Sequence, residues 1–196
     1  MKVTMVDLHG RQAAPASKIW NVTKTYMQTL VFWSIFLFVI PAVVYRIETA
    51  VGLAGWRFDI PWLRQAGYAL FVLGGSLGLS SGAVMAFYGQ GTPLPVDAPR
   101  EIVVRGPYRF VRNPMAIAGL SQGVAVGLIV GSPAIILYAH SGGPLWNILV
   151  RPWEERDLES WFGEAFRHYR REVNCWIPRL TPYRPPSTSR ADSDPR

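Results

Sequence analysis

Three long stretches without a charged side chain constrain this chain more than any other feature. No Asp, Glu, Lys or Arg occurs in residues 25–45, 65–96 or 113–150. A helix that spans a bilayer needs roughly 20 consecutive apolar residues, so each stretch is long enough to cross a membrane. The sequence therefore predicts an all-α integral membrane protein.

The third stretch is too long for a single span. As one helix it would extend about 57 Å at about 1.5 Å per residue, nearly twice the thickness of the hydrocarbon layer. Two turn sequences compete for the fold-back, Gly131-Ser132-Pro133 and Ser141-Gly142-Gly143-Pro144. The second would leave only residues 145–150 for the return, so we predict a hairpin that turns at the first.

The other two stretches predict spans at about residues 25–45, with Pro41 kinking the far end, and 62–88. Together with the hairpin they give about four transmembrane helices, with both termini and the loop at 90–112 on one side. Basic residues favour that side, since nine arginines follow Val150. The positive-inside rule then makes it cytosolic, and we expect a multi-pass protein of a bacterial plasma membrane.

Composition narrows the remaining function classes. Orientation in the membrane explains the net charge of +7, so we predict no nucleic-acid partner. The single cysteine, Cys175, excludes an intrachain disulfide and is too little for a cysteine metal site, and no metal is predicted. Because Gly-x-Gly-x-x-Gly between a strand and a helix is missing, a soluble Rossmann domain is unsupported.

Three regions follow from these patterns. Residues 1–24 form a cytosolic N-terminal segment, 25–183 a membrane domain, and 184–196 a tail that we expect to be disordered because of its Pro, Ser and Asp content. Glycines recur at four-residue spacing in the second and third stretches, which favours close helix packing. The alternative is a smooth wall for a lipid tail. The repeated positions are Gly74, Gly78, Gly82, Gly119, Gly123, Gly127 and Gly131.

A C-terminal cytosolic amphipathic helix is predicted after Val150. Its apolar stripe recurs with helical period, and would either pack against the protein or lie on anionic headgroups. The stripe comprises Glu155, Leu158, Phe162, Phe166, Tyr169 and Val173. A carboxylate on that stripe needs a cation, which for Glu155 is Arg112, Arg151 or a ligand amine. Glu154 points elsewhere on the helix and is interpreted as solvated.

The loop before the third stretch has its own pattern. Gly106-Pro107-Tyr108 predicts a turn, and Asn113 and Pro114 predict an N-cap followed by proline in the first helical turn. The arginines here serve as positive-inside charges, or the turn brings Tyr108 and Arg112 towards Glu155.

Two motifs in these segments resemble a known family. Gly106-Pro107-Tyr108-Arg109-Phe110-Val111-Arg112-Asn113-Pro114 is similar to the Gly-Pro-Tyr-(x)3-Arg-His/Asn-Pro signature of the isoprenylcysteine carboxyl methyltransferase family, which also includes phospholipid methyltransferase-like membrane enzymes. The helix that opens with Glu154-Glu155 is similar to the second motif of that family. The resemblance covers residues 100–178. The chain departs from the pattern at Asn113, usually histidine, Ala116, often tyrosine, and Phe166, usually tyrosine.

The resemblance implies S-adenosylmethionine as the cofactor, bound from the cytosolic side. It implies that Glu155 pairs with the α-ammonium, that Arg112 or Arg109 pairs with the carboxylate, and that Tyr108 or Tyr169 faces the sulfonium or adenine. Asn113 and Pro114 belong to the same cofactor-binding motif.

The implied acceptor is a hydrophobic or lipid-linked molecule that enters sideways from the bilayer. Arg151 would hold an anionic acceptor, whereas an amine or hydroxyl acceptor needs a base, for which Glu154 and His168 are the nearby candidates. A membrane reductase of related fold and a non-catalytic scaffold are the alternatives. The glycine faces also permit a dimer.

Overall fold

The computed structural model describes residues 10–93 and 97–186, and within them it is helical, with one isolated bridge between Gln12 and Ala98. The helices are α1 (Lys18–Trp33), a π-helical segment (Ser34–Val39), α2 (Ile40–Ala50), α3 (Pro61–Gly89), α4 (Pro114–Val130), α5 (Pro133–Leu149) and α6 (Arg151–Glu172). Short 3-10 turns occupy Leu53–Trp56 and Gly106–Arg109. The all-α prediction is confirmed. The start of the predicted N-terminal segment and most of the predicted tail lie outside the described residues.

Among residues 10–93 and 97–186, two helices are long and apolar enough to cross a membrane, Lys18–Ala50 and Pro61–Gly89. The first begins earlier than predicted because the Ser17 hydroxyl accepts a hydrogen bond from the Trp20 amide and caps the helix. The helix continues past Pro41, which has no backbone N–H to donate. The π-helical segment directly before Pro41 changes the hydrogen-bond pattern there, so the missing donor does not end the helix.

The hairpin turns where the sequence predicts. Gly131 ends α4 with φ of 68°, and a Cβ there would lie 1.9 Å from the Phe58 carbonyl oxygen. The Ser132 hydroxyl then caps α5 by accepting from the Ile135 amide. Each arm has 17 residues, or about 26 Å of helix, which is shorter than a bilayer core of about 30 Å. The total of four spans stays a prediction.

Most of the repeated glycines, all but Gly119 and Gly131, lie where helices of this chain touch. A Cβ at Gly74 would lie 2.9 Å from Gln122 of α4, at Gly78 2.7 Å from the Trp33 ring, and at Gly127 2.5 Å from Ile136 of α5. Helix packing is therefore confirmed at these positions. The helices adjoin in the order α1, α3, α4 and α5.

The final helix differs from the prediction in one respect. It breaks at Gly163, whose φ of 52° and ψ of −126° are non-helical. The C-terminal part of the apolar stripe still forms one buried cluster, in which Phe166, Tyr169 and Val173 pack with Tyr183. The stripe packs against the protein, so the headgroup alternative is wrong for these three side chains. We call this end of the bundle the α6 end and the opposite end, with the hairpin turn, the Glu48 end.

Candidate active site

A cavity lies at the α6 end, between α6 and the loop that precedes α4. We call it the α6 cavity. It brings together the two polar motifs that the sequence predicts to meet. Its lining includes the predicted site residues Tyr108, Arg112, Asn113, Glu154, Glu155 and Tyr169.

The carboxylate of Glu155 receives its cation from the protein itself. Its Oε1 lies 2.6 Å from Nη1 of Arg112 and 2.8 Å from Nε of Arg151, as the arginine alternative predicts. Burial alone would raise the pKa of Glu155, but the hydrogen bonds from Arg151 and Arg112 outweigh it and hold the pKa below its ordinary value. Glu155 is therefore a fixed anion that locks α6 onto the loop.

Three predicted residues stand outside the cavity lining. The Arg151 Nη1 donates to Asn147 at 2.8 Å, so both ends of its guanidinium are used within the protein. Arg109 donates from Nε to the Tyr183 carbonyl at 2.9 Å and so tethers the C-terminal segment. Pro114 is buried in the first turn of α4. Each of these residues thus has a contact or position that stabilises the fold, and their roles at the site stay predictions.

Asn113 has two roles at the start of α4. Its Oδ1 accepts from the Ala116 amide at 3.2 Å, which confirms the predicted N-cap, and the residue also lines the cavity.

The two tyrosines form one buried unit. The Tyr169 hydroxyl donates to the Tyr108 carbonyl at 2.6 Å, and both residues are about 95% buried. Burial is the main cause that raises the pKa of each phenol far above its ordinary value, so both stay neutral. Their rings can offer an aromatic surface, but the Tyr169 hydroxyl is committed to the backbone.

Glu154 has a different environment from its neighbour. It lines the α6 cavity, and within the described ranges its carboxylate has no hydrogen-bond or ion-pair partner. Burial, reinforced by the charge of Glu155, raises the pKa of Glu154 to about 7. Glu154 is therefore half-buried beside the cavity rather than fully solvated as interpreted from the sequence.

A second, larger cavity lies between α1, α4 and α5. We call it the hairpin cavity. Its volume is about 620 Å³, within the range of about 300–1,000 Å³ typical of ligand pockets. Its walls are mostly apolar and include Phe32, Trp33, Leu120 and Leu145.

The two cavities share part of their lining. Five residues contribute to both: Pro93, Asn113, Met115, Trp146 and Glu154. Glu154 therefore lies at a junction between a space lined by charged groups and an apolar space within the helix bundle.

Sequence analysis missed two features of this site. Trp146 lies at the junction and packs edge-on against Trp176, with ring centroids 5.4 Å apart. Asp157 lines the α6 cavity and accepts a hydrogen bond of 2.7 Å from the Gly10 amide, which draws the N-terminal segment across α6. Asp157 follows Glu154 by three residues, a spacing that places both side chains on the same face of a helix. This spacing is the local signal that could have predicted Asp157 at the cavity.

Comparison with protein-family models gives one match. Residues 62–165 match the model described as phospholipid methyltransferase. The matched segment covers more than half of the chain and contains both cavity-lining motifs up to the middle of α6. The chain belongs to the phospholipid methyltransferase family. A comparison with curated proteins finds no match.

Membership of the phospholipid methyltransferase family gives the coarse function. It implies methyl transfer to lipid-type substrates, and the apolar helices agree with membrane association. The match favours methyl transfer over the reductase alternative.

Proposed function

We propose that this protein transfers a methyl group from S-adenosylmethionine to a lipid-soluble amine or hydroxyl acceptor at the cytosolic face of the membrane. The observation that supports this most directly is the position of Glu154. Its carboxylate lines both cavities and has no partner within the described residues. A carboxylate with a pKa of about 7 is well matched to general-base catalysis near neutral pH.

The groups that line the α6 cavity fit the chemistry of the cofactor. Its α-ammonium would be held by a carboxylate, for which Asp157 is present, and its carboxylate by Arg112. Trp161 and Phe162 offer aromatic faces for adenine. Glu155 is already paired with arginines, so it orients Arg112 in this proposal and does not bind the ammonium directly.

The volumes of the two cavities support the same assignment of cofactor and acceptor. The α6 cavity has a volume of about 130 Å³, below the roughly 300 Å³ of the smallest common ligand pockets. The cofactor therefore needs the junction as well, and its reactive end would lie there. The hairpin cavity remains for the apolar body of the acceptor.

When bound, S-adenosylmethionine supplies an electrophilic methyl group. Glu154 takes the proton that the acceptor nitrogen or oxygen loses, so the proton ends on a Glu154 carboxylate oxygen. Asn113 is fixed by its capping bond at the junction. The apolar walls of the hairpin cavity exclude water and hold the acceptor in one orientation.

Calorimetric titration of the detergent-solubilised protein with S-adenosylhomocysteine tests the cofactor. We expect saturable binding that Arg112→Ala weakens and that NADPH does not reproduce. Glu164→Gln is the matched control, since Glu164 is an exposed acid on the same helix. Absence of binding to the unaltered protein would favour a scaffold, and binding of NADPH alone would favour a reductase.

The cytosolic placement has its own test. A reporter fused to the C-terminus should be active only in the cytosol, because the basic residues concentrate on that side. An external C-terminus would contradict the proposal, since the cofactor is made inside cells.

A further inference from the structure

One glycine of the α4 series is not required for helix packing. A Cβ at Gly123 would lie 2.9 Å from that of Ala139, and a Cβ at Gly127 would lie 2.5 Å from Ile136. At Gly119, one turn before Gly123, a Cβ would have no heavy atom of the described residues within 4 Å. Gly119 instead lines the hairpin cavity.

Next to Gly119, Leu120 packs against Gly142 and Gly143 of α5, where a Cβ would lie 3.0 and 3.3 Å from it, but the hairpin stays open at Gly119 itself. Its two arms touch at Gly123 and Ala139, whereas nearer the α6 end both arms line the cavity. Pro144 lies inside α5 and lacks the N–H that would bond to the carbonyl four residues earlier, which bends helices. Gly142 also lines the cavity but is packed against Leu120, so the space left by a missing side chain lies at Gly119.

Two buried polar atoms belong to residues that line the hairpin cavity. The Oγ1 atom of Thr25 and the Oε1 atom of Gln28 lie on successive turns of α1, and neither has a hydrogen-bond partner in the described part of the chain. Unpartnered buried oxygens are uncommon. Both atoms are closed off from the cavity, so a ligand would reach them only after a local side-chain shift.

Gly119 also lies near the reacting group. Six residues separate it from Asn113, which corresponds to about 9 Å along the helix axis. Any side chain at position 119 would therefore meet the acceptor about 9 Å from the junction.

Resting on the proposed function, we propose that Gly119 is a specificity-determining residue. The missing side chain gives the hairpin cavity the width to hold an acceptor that carries a ring or a branch within about 9 Å of its methylated group. A larger residue would reject such acceptors and still admit a straight chain.

Photolabelling with competition tests this width. The protein in lipid nanodiscs is labelled with hexadecylamine that carries a diazirine, and the label on cavity residues is mapped by mass spectrometry. Leu137, which is 71% exposed on α5, reports labelling of the outer surface. The tricyclic amine dehydroabietylamine is the competitor, and its concentration that halves the cavity label is compared between variants.

We expect the tricyclic amine to compete in the unaltered protein. In Gly119→Leu the halving concentration should rise at least about tenfold, because misfits of a methylene or more in an apolar pocket change discrimination by about that much. Labelling by hexadecylamine should stay within about threefold. Gly119→Ala should give an intermediate value. Gly55→Leu is the matched control, since a Cβ there also meets no described heavy atom but lies at the Glu48 end.

Three results would overturn the proposal: an unchanged halving concentration in Gly119→Leu, an equal loss of hexadecylamine labelling, or cavity labelling no stronger than that of Leu137 in the unaltered protein. Titration with S-adenosylhomocysteine separates this from the proposed function. The unaltered protein and Gly119→Leu should bind S-adenosylhomocysteine equally. Failure of the unaltered protein to bind would refute the cofactor proposal, while the competition result would still decide the role of Gly119.

Discussion

Two glutamates at opposite ends of the helix bundle show how similar groups acquire different roles. Glu48 is 3% exposed, and its Oε2 accepts from Arg57 at 2.9 Å and from Ser132 at 3.0 Å. Glu154 is half-buried, but within the described residues its carboxylate has no protein partner, and it lines two cavities.

The surroundings explain the difference. Glu48 of α2 contacts Arg57 in the turn before α3 and Ser132 in the hairpin turn, and so joins three elements. Arg57 also donates to the Tyr45 carbonyl of α2 at 2.8 Å. The charge of Glu48 is matched, so this residue fixes structure. A carboxylate left unmatched beside a cavity is unfavourable for folding unless a ligand or a proton completes it. The contrast therefore favours a structural role at the Glu48 end and a chemical role at the α6 end.

The largest effect is expected from Glu154→Gln. If Glu154 is the base, methyl transfer should fall by about 10²–10⁴-fold while the fold is kept. In the unaltered protein the rate should increase as pH rises through about 7, because the base must be deprotonated. Transfer of labelled methyl from S-adenosylmethionine to membrane lipid extracts measures both, with Glu164→Gln as control. A variant that retains a third of the rate would remove Glu154 from the mechanism.

Arg57→Leu removes the cation that pairs with Glu48 and so leaves this carboxylate without an ion-pair partner, as Glu154 is in the described part of the chain. It leaves a buried carboxylate with only Ser132 as partner, and removal of one member of a buried pair destabilises proteins by about 3–5 kcal/mol. Thermal unfolding in detergent measures the loss. The double variant Glu48→Leu with Arg57→Leu should recover part of it, since no charge is then left unpaired. A single variant as stable as the unaltered protein would show that the pair contributes little.

The unmatched charge of Glu154 should oppose stability. Its pKa is raised from 4.5 to about 7, so between these values the folded state holds a proton that the unfolded state releases, and stability falls as pH rises through this window. Glu154→Gln should therefore be more stable than the unaltered protein by about 2–4 kcal/mol at pH 8 and equal to it near pH 4. Melting curves at both pH values check the sign. A variant less stable at pH 8 would show a hidden stabilising contact.

The sequence predicted those features of the structure that depend on residues close together in the chain: one turn, one helix cap and one paired carboxylate. The turn at Gly131 needs a positive φ, the Asn113 cap needs a short polar side chain before Pro114, and the carboxylate of Glu155 on an apolar stripe needs a cation. Each requirement can be recognised within a few residues of sequence.

Long-range contacts decided the rest. Helical period places Glu154 on the outer side of α6, but the N-terminal segment reaches that helix through Gly10 and Asp157, 147 residues apart in sequence. Arg109 likewise binds Tyr183, 74 residues away. Periodicity describes one helix and its main buried face, so it cannot show a helix that is covered on more than one side.

The smallest effect concerns the second partner of Glu48. Ser132→Ala removes a hydrogen bond to that carboxylate and also the cap of α5, while the Arg57 pair remains. We expect a loss of about 1–2 kcal/mol in the free energy of unfolding, with cofactor binding unchanged because the substitution lies at the Glu48 end. Ser132→Thr keeps the hydroxyl and should lose less than half as much. If Ser132→Ala reduced binding of S-adenosylhomocysteine without changing the melting temperature, the two ends of the bundle would be coupled, and the separation of a structural glutamate from a chemical one would fail.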